Sequence, residues 1–215
     1  MTTQNRIINP APPNLPLGTD TYERRYQDQF TNVLRLYFNQ LQNALTEITG
    51  NAGGRYLAFP YGAFSDFTDQ TATVNTATLM TLDTTDFSNG VSVVSNSKIT
   101  VEYAGIYNLQ FSVQLQNLDN APQDVFIWLK QNGTDITGST GLVGLPARKS
   151  AGVPFHDIKG WNYFLSLNAN DYVQIYWSTT DADVTIQTYP ASGTPTKPST
   201  ASIVATLSFV SALPT

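Results

Sequence analysis

Residue types that carry out enzyme chemistry are scarce in this 215-residue chain, which has one histidine and no cysteine. The histidine, His156, is followed by Asp157, and adjacent residues on a strand point to opposite faces, so the two side chains do not form the pair that a nucleophilic site needs. The absence of cysteine excludes a thiolate metal site, a cysteine nucleophile and a disulfide framework. We therefore predict that the chain is not an enzyme and that His156 is a loop or interface residue.

Paired carboxylates are the next candidates, because glycan cleavage needs two acids on either side of a bond. Asp181 and Asp183 share a face if the chain is extended there, and Asp66 and Asp69 are close in sequence. Nothing in the sequence separates an acid from a base in either pair, so we interpret them as solvated loop acids. Calcium binding by Asp181 and Asp183 is a weak alternative, since hard cations prefer oxygen ligands. No other metal and no cofactor is predicted.

Tryptophan side chains are the third kind of candidate, because flat rings are a common surface for stacking sugar rings. Trp128, Trp161 and Trp177 are the possible ligand-facing residues, and Tyr172 and Tyr176 lie close to them in sequence. Packing in the core or at a subunit interface is the alternative for every one of these rings. The sequence does not distinguish the outward-facing rings from the buried ones.

The composition predicts a mainly β protein with an unusually uncharged surface. Only 13% of the residues are charged and the formal net charge is -5. An acidic chain with 11 Lys and Arg residues does not have the basic patch that nucleic-acid binding needs, so no nucleic-acid partner is predicted. The apolar runs are too short to span a membrane, and the first residues lack the apolar core of a secretory signal.

From Arg55 onward the sequence has the pattern of strands and turns. The segment 106–115 is the clearest, because apolar and polar residues alternate along it with a period of two. Strands are predicted at residues 76–82, 91–95, 98–103, 106–115, 125–131, 161–167, 172–177, 184–189 and 203–210. Asn132-Gly133 is a typical hairpin turn, whereas residues 138–144 are predicted to be a flexible loop. We expect one antiparallel β-sandwich or jelly roll at residues 55–215.

Two other segments precede this region. Residues 1–19 are predicted to be an extended Pro-rich arm, since prolines fix the backbone and remove hydrogen-bond donors. Its apolar residues, which are candidates for anchoring the chain in the groove of a partner, are Ile7, Ile8, Leu15 and Leu17. A disordered leader is the alternative.

Residues 20–54 are predicted to be a long helix and a Gly-rich linker. Asp20 and Glu23 have the spacing of a capping box, and the helical pattern continues to about Thr49. Its apolar residues recur every three or four positions and include Tyr26, Phe30, Val33, Tyr37, Leu41 and Ile48. We expect this stripe to associate with identical chains or with another protein; packing on its own β domain is the alternative.

A motif in the strand at 106–115 resembles a known family. Gly105, Tyr107, Leu109 and Phe111 are similar to the Gly-x-Tyr-x-Phe-x-aromatic core of the complement globular head, with Leu109 in place of Phe. Residues 165–173 and 201–210 resemble two further segments, and Asn170 replaces a glycine of the first. The complement head belongs to the tumour-necrosis-factor-like jelly-roll superfamily. The resemblance implies a homotrimer that works as a binding head.

The N-terminal segments resemble those of bacteriophage virion proteins, on the basis of the Pro-rich arm and residues 22–41. Together with a jelly-roll head, they imply a virion structural protein of the fibre, spike or decoration type, located in the virion. Its partners would be other copies of itself, other virion proteins bound by the arm and helix, and a host-surface glycan or receptor. Two alternatives stay open: a cellular carbohydrate-binding or adhesion module of the same fold, and a glycan-cleaving enzyme.

Overall fold

The computed structural model describes residues 10–18, 20–49 and 59–213 of the chain. The chain divides into two compact units, Met1–Ala58 and Phe59–Thr215, which are treated separately below. The predicted anchoring residues Ile7 and Ile8, and the glycines of the predicted linker at positions 50–54, lie outside the described residues.

The first unit contains one described helix, α1 (Arg24–Thr49). The amide of Gln27 donates to the carbonyl of Glu23 at 3.1 Å, so the helix begins directly after Glu23. The predicted capping box was therefore wrong, because Asp20 lies in a bend ahead of the helix and cannot cap it. The predicted end near Thr49 is confirmed.

No residue of α1 is buried within the first unit. The half-buried positions follow the predicted stripe and include Tyr26, Phe30, Val33, Tyr37 and Leu41, whereas Ile48 is exposed. The Tyr26 hydroxyl donates to the carbonyl of Pro16 at 3.4 Å, so the end of the arm lies beside the start of the helix. Leu15 and Leu17 of the arm are exposed.

The second unit is built from strands, which in chain order are β1 (Tyr61–Asp66), β2 (Gln70–Thr71), β3 (Thr78–Leu79), β4 (Thr84–Asn89), β5 (Val91–Val94), β6 (Lys98–Val101), β7 (Gly105–Asn117), β8 (Gln123–Gln131), β9 (Thr134–Asp135), β10 (Gly141–Leu145), β11 (Phe155–Leu167), β12 (Tyr172–Thr179), β13 (Val184–Ile186), β14 (Ser192–Gly193), β15 (Thr196–Lys197) and β16 (Ile203–Ser211). The prediction of a mainly β protein is confirmed. The predicted loop at 138–144 was wrong for residues 141–144, since β10 forms there and pairs with β8.

The strands form two antiparallel sheets of seven strands each. In sheet A, successive pairing partners are β2-β13-β7-β16-β1-β4. Strands β13 and β16 pair with different parts of one edge of β7, and β11 pairs along its opposite edge. Sheet B has the order β10-β8-β12-β6-β5, with β3 beside β12 and β9 beside β8. Strands β14 and β15 form a separate hairpin. Strand β7 is therefore central in sheet A, with neighbours along both of its edges.

One hydrophobic core lies between the sheets and draws side chains from both. Tyr107, Leu109 and Phe111 of β7 all belong to it, which confirms the period-two pattern of this strand. Gly105 is required in the same motif, because a Cβ atom there would collide with the ring of Phe209. The Tyr107 hydroxyl donates to the carbonyl of Tyr103 at 2.8 Å, so its polar atom is satisfied at the edge of the core.

Left-handed backbone occurs at two turns where the sequence indicates it. Asn132 and Gly133 have φ values of 50° and 82° and close the tight hairpin between β8 and β9, as predicted. Asn170, in the turn before β12, has a φ of 68°. Asparagine tolerates this conformation better than most residues do, so the turn forms without a glycine.

Truncation of a core residue tests this arrangement. Phe111 is 5% exposed and its ring packs edge-on against Trp161 with the centroids 4.7 Å apart. We expect Phe111→Ala to lower the free energy of unfolding by about 3–5 kcal/mol in urea titrations, because it leaves a cavity. Val94→Ala, at a 48% exposed position, is the control and should change it by less than about 0.5 kcal/mol. Equal effects would contradict the assignment of faces.

Candidate functional site

The outer face of sheet A is the most unusual surface of the domain. Alternate residues of β7, β11 and β16 point away from the core, and the register of the three strands aligns them. We call this set the sheet A surface; it comprises Ile106, Asn108, Gln110, Ser112, Gln114, Gln116, His156, Ile158, Gly160, Asn162, Phe164, Ser166, Val204, Thr206 and Ser208. None of these described residues is Asp, Glu, Lys or Arg.

Exposed apolar groups lie within this uncharged surface. Ile158 and Phe164 are 61% and 57% exposed, and Val204 is 40% exposed. Strand β11 also carries an ion pair, in which Asp157 and Lys159 are 2.8 Å apart. These two residues occupy the alternate positions of β11, whose side chains point away from the sheet A surface. Depletion of charge around accessible apolar residues is typical of the centre of a protein–protein interface.

The centre of the sheet A surface is formed by short or amide side chains. Gln110 of β7 lies opposite Asn162 of β11 and Thr206 of β16. Gly160 leaves no room for a side chain, because a Cβ atom there would collide with the carbonyl oxygen of Phe111. The surface can therefore be approached closely, and its amides and hydroxyls can donate to or accept from a facing molecule.

One polar atom of this surface is unsatisfied. The Oδ1 atom of Asn108 is shielded from solvent and has no hydrogen-bond partner among the described residues. Asn108 lies between Phe164 and Ser208 on the neighbouring strands. A buried acceptor without a donor costs free energy, so the isolated chain is not at its most stable arrangement here.

His156 lies at one end of the sheet A surface and is bonded to Tyr189. The tyrosine hydroxyl is 2.8 Å from Nδ1 of the imidazole and 3.4 Å from Oε1 of Gln116. Burial, and secondarily the positive charge of Lys149, lower the pKa of His156 below its usual 6.5. Burial, with a smaller contribution from Asp69, raises the pKa of Tyr189. The ring contact is with a phenol, which does not activate a nucleophile as a serine–histidine–carboxylate array would.

The structure separates the three predicted ligand-facing tryptophans. Trp177 is fully buried in the core, so the expectation that it faces a ligand is corrected. Trp161 is half-buried and packs on the core against Phe111, which also turns its ring away from the outer face. Trp128 is half-buried on the outer face of sheet B and stacks on Tyr176.

The weak calcium candidates occur in a turn. Oδ1 of Asp181 accepts a hydrogen bond of 2.8 Å from the amide of Asp183, so this carboxylate satisfies the backbone. Within the described ranges, no three His, Cys, Asp or Glu side chains come together as a metal-binding group. The same ranges contain no helix long and apolar enough to cross a membrane.

Comparison with known proteins gives no match, either to a protein-family model or to a curated protein. The sheet A surface was not identified from the sequence, although a signal for it exists: Asn108, Gln110, Ser112, Gln114 and Gln116 alternate with the core residues of β7 and carry no charge.

The pKa of His156 predicts a pH effect on stability. Because this pKa is lower in the folded chain than in the unfolded one, the unfolded state binds more protons as the pH falls through about 6.5. We expect a small decrease in melting temperature between pH 7.5 and 5.5, since the ring is largely exposed. His156→Gln should remove this part of the decrease. A decrease of the same size in the variant would assign the effect to other groups.

Proposed function

We propose that this chain is a non-enzymatic virion structural protein whose head assembles as a homotrimer through the sheet A surface. The observation that carries the proposal is the distribution of charge. Residues 59–213 contain 12 acidic and 6 basic side chains, and all of them lie away from the fifteen positions of this surface. A charge near a threefold axis is repeated three times at short range, so its absence is expected where three copies meet.

The connectivity of the strands supports a jelly roll of the tumour-necrosis-factor-like type. The principal strands of the two sheets are β1, β6, β7, β8, β10, β11, β12 and β16. In this series β1 pairs with β16, β6 with β12, β7 with β11 and β8 with β10, so the pairs are nested from the ends of the series inward. This nested pairing is what a single long hairpin produces when it rolls into two sheets.

The trimeric arrangement follows from the family resemblance together with the chemistry of the sheet A surface. Ile158 and Phe164 provide apolar area that is exposed in the single chain. Gly160 and Ser112 leave space for close approach of a neighbouring backbone, and the amide of Gln110 can bond across the interface. A donor from a neighbouring copy could also satisfy the acceptor of Asn108 after a small side-chain rearrangement.

The first unit supplies the proposed attachment element. Within the first unit no residue of the α1 stripe is buried, and an amphipathic helix gains most of its stability by covering its apolar side. We propose that the stripe associates with the corresponding helices or with another virion protein. Leu15 and Leu17 of the arm, at 46% and 92% exposed, are proposed to anchor the chain on the particle.

A cellular carbohydrate-binding or adhesion module is the second candidate. The outward position of Trp128 and Tyr176 favours ligand binding by the head, whichever particle or cell presents it. Assembly through the sheet A surface would serve this function equally well. The two candidates differ in what the helix stripe and the arm bind. In a virion protein, the partner is another structural protein of the particle.

Introduction of a charge tests the proposed trimer interface. Ser208 is an exposed residue of the sheet A surface, and Ser92 is an exposed residue on the outer side of sheet B. We expect the wild-type chain to form a trimer in sedimentation experiments and Ser208→Arg to be a folded monomer at micromolar concentration. The matched variant Ser92→Arg should stay trimeric. Trimers of both variants would exclude the sheet A surface as the interface.

A triple substitution tests the role of the helix. Replacing Val33, Tyr37 and Leu41 by Gln removes apolar area from the stripe and leaves the sequence of the β domain unchanged. We expect attachment to particles, or the stability of the assembly on dilution, to decrease at least tenfold. The circular dichroism of the strands and their melting should be unchanged. Unfolding of the β domain in this variant would show that the helix is part of its core.

A further inference from the structure

The outer face of sheet B carries a cluster of aromatic and charged side chains. Trp128 of β8 lies opposite Tyr176 of β12, and the two rings stack with centroids 5.8 Å apart and an interplanar angle of 28°. The indole Nε1 of Trp128 donates to Oδ1 of Asp135 at 2.8 Å. Nζ of Lys130 lies 3.3 Å from the same oxygen and 4.6 Å from the centre of the Tyr176 ring. We call these four residues the Trp128 cluster.

Each member of the Trp128 cluster is held in place by another member. The side chain of Lys130 is only 20% exposed, whereas that of Asp135 is 65% exposed. The carboxylate can therefore accept further hydrogen bonds from a ligand while it fixes the indole. Side chains that are ordered before binding lose little conformational entropy on binding, which makes the cluster a prepared surface.

The pattern of the Trp128 cluster is repeated along β12. Tyr172 is on the same side of the strand as Tyr176, about 13 Å away at the usual rise per residue, and Nζ of Lys98 lies 4.6 Å from the centre of its ring. Gln174 lies between the two tyrosines and is buried, and its amide donates to the Ser97 hydroxyl at 3.0 Å. The two tyrosine rings therefore lie on either side of a buried amide and form a strip along β12.

A pocket of about 290 Å³ lies next to this strip. The polar residues that line it are Ser92, Thr100, Glu102 and Asn170. Thr100 is directly opposite Tyr172 in the register of β6 and β12, so the pocket continues the strip across the sheet. Donors and acceptors are therefore available beside an aromatic surface.

We infer that the outer face of sheet B binds an uncharged oligosaccharide. Its sugar rings stack on the aromatic rings of Trp128, Tyr176 and Tyr172, and one sugar enters the pocket beside Thr100. A sugar ring has an apolar C–H face and a rim of hydroxyls, which matches flat rings flanked by fixed polar groups. The inference rests on the proposed assembly, because a trimer formed through the sheet A surface leaves this opposite face free.

The charges of this face favour a sugar over a protein. Lys98 and Lys130 lie beside its aromatic rings and Asp135 lies next to Lys130, whereas the centre of a protein interface is depleted of charge, as on the sheet A surface. The charge of Lys130 is neutralised by Asp135. The remaining positive charge of Lys98 is balanced by the negative charge of Glu102 at the pocket. The face therefore has no net charge that would attract an anionic sugar, which matches an uncharged one. Three equivalent sites in a trimer would allow weak single sites to hold a repetitive glycan tightly.

Affinity electrophoresis of the full chain tests the inference. The gels contain either a neutral polysaccharide (dextran, mannan or galactomannan) or an acidic one (alginate or polygalacturonate). We expect at least one neutral polysaccharide to retard the protein and neither acidic one to do so. Retardation by acidic polysaccharides alone, or by none of the five, would overturn the inference. The trimer mass, measured separately, would still report on the proposed assembly.

Two variants locate the site. Trp128→Ala removes a stacking ring, and Ser92→Arg fills the pocket from an exposed position; each should weaken retardation at least tenfold while the protein stays trimeric. Phe87→Ala removes a ring that is 63% exposed at the edge of sheet A and is the control, with unchanged retardation. If Trp128→Ala fails to fold, Ser92→Arg decides the test alone. Retention of binding in Ser92→Arg, or equal loss in Phe87→Ala, would overturn the assignment of the site.

Discussion

The pairing of β7 along both of its edges is the constraint on which the rest of the β domain depends. Strand β11 follows it over thirteen residues on one side, while β16 and β13 share the other. A strand in this position cannot slip by one residue, because Tyr107 and Phe111 would then leave the core and the amides would enter it. The register that places the apolar residues in the core therefore also determines which residues form the sheet A surface.

The two outer faces of the domain differ in their physical chemistry. The sheet A surface has apolar and amide groups with no formal charge, as an interface that excludes water requires. The outer face of sheet B combines stacked rings with ion-paired and hydroxyl groups, as a surface that exchanges water for a polar ligand requires. We interpret this difference as a division between assembly on one face and recognition on the other.

The local sequence pattern was sufficient to predict much of the fold but little of the candidate site. The alternation along β7 and the turn at Asn132-Gly133 were predictable because both are set by neighbouring residues. The short strands β1, β4 and β10 were missed. Strands β4 and β10 are edge strands rich in Thr or Gly, and β1 lies between β16 and β4, so its order depends on the pairing with β16, which is distant in sequence. Trp128 and Trp177 could not be distinguished, because both are large rings on strands and only the three-dimensional register assigns them to opposite faces.

We propose that the β domain assembles through its own uncharged face, without help from the helix. The most direct test is the solution mass of residues 55–215 alone, measured by light scattering over a range of concentrations. We expect three copies at micromolar concentration. A monomer at all concentrations would contradict it and would leave the helix stripe as the element that assembles the chain.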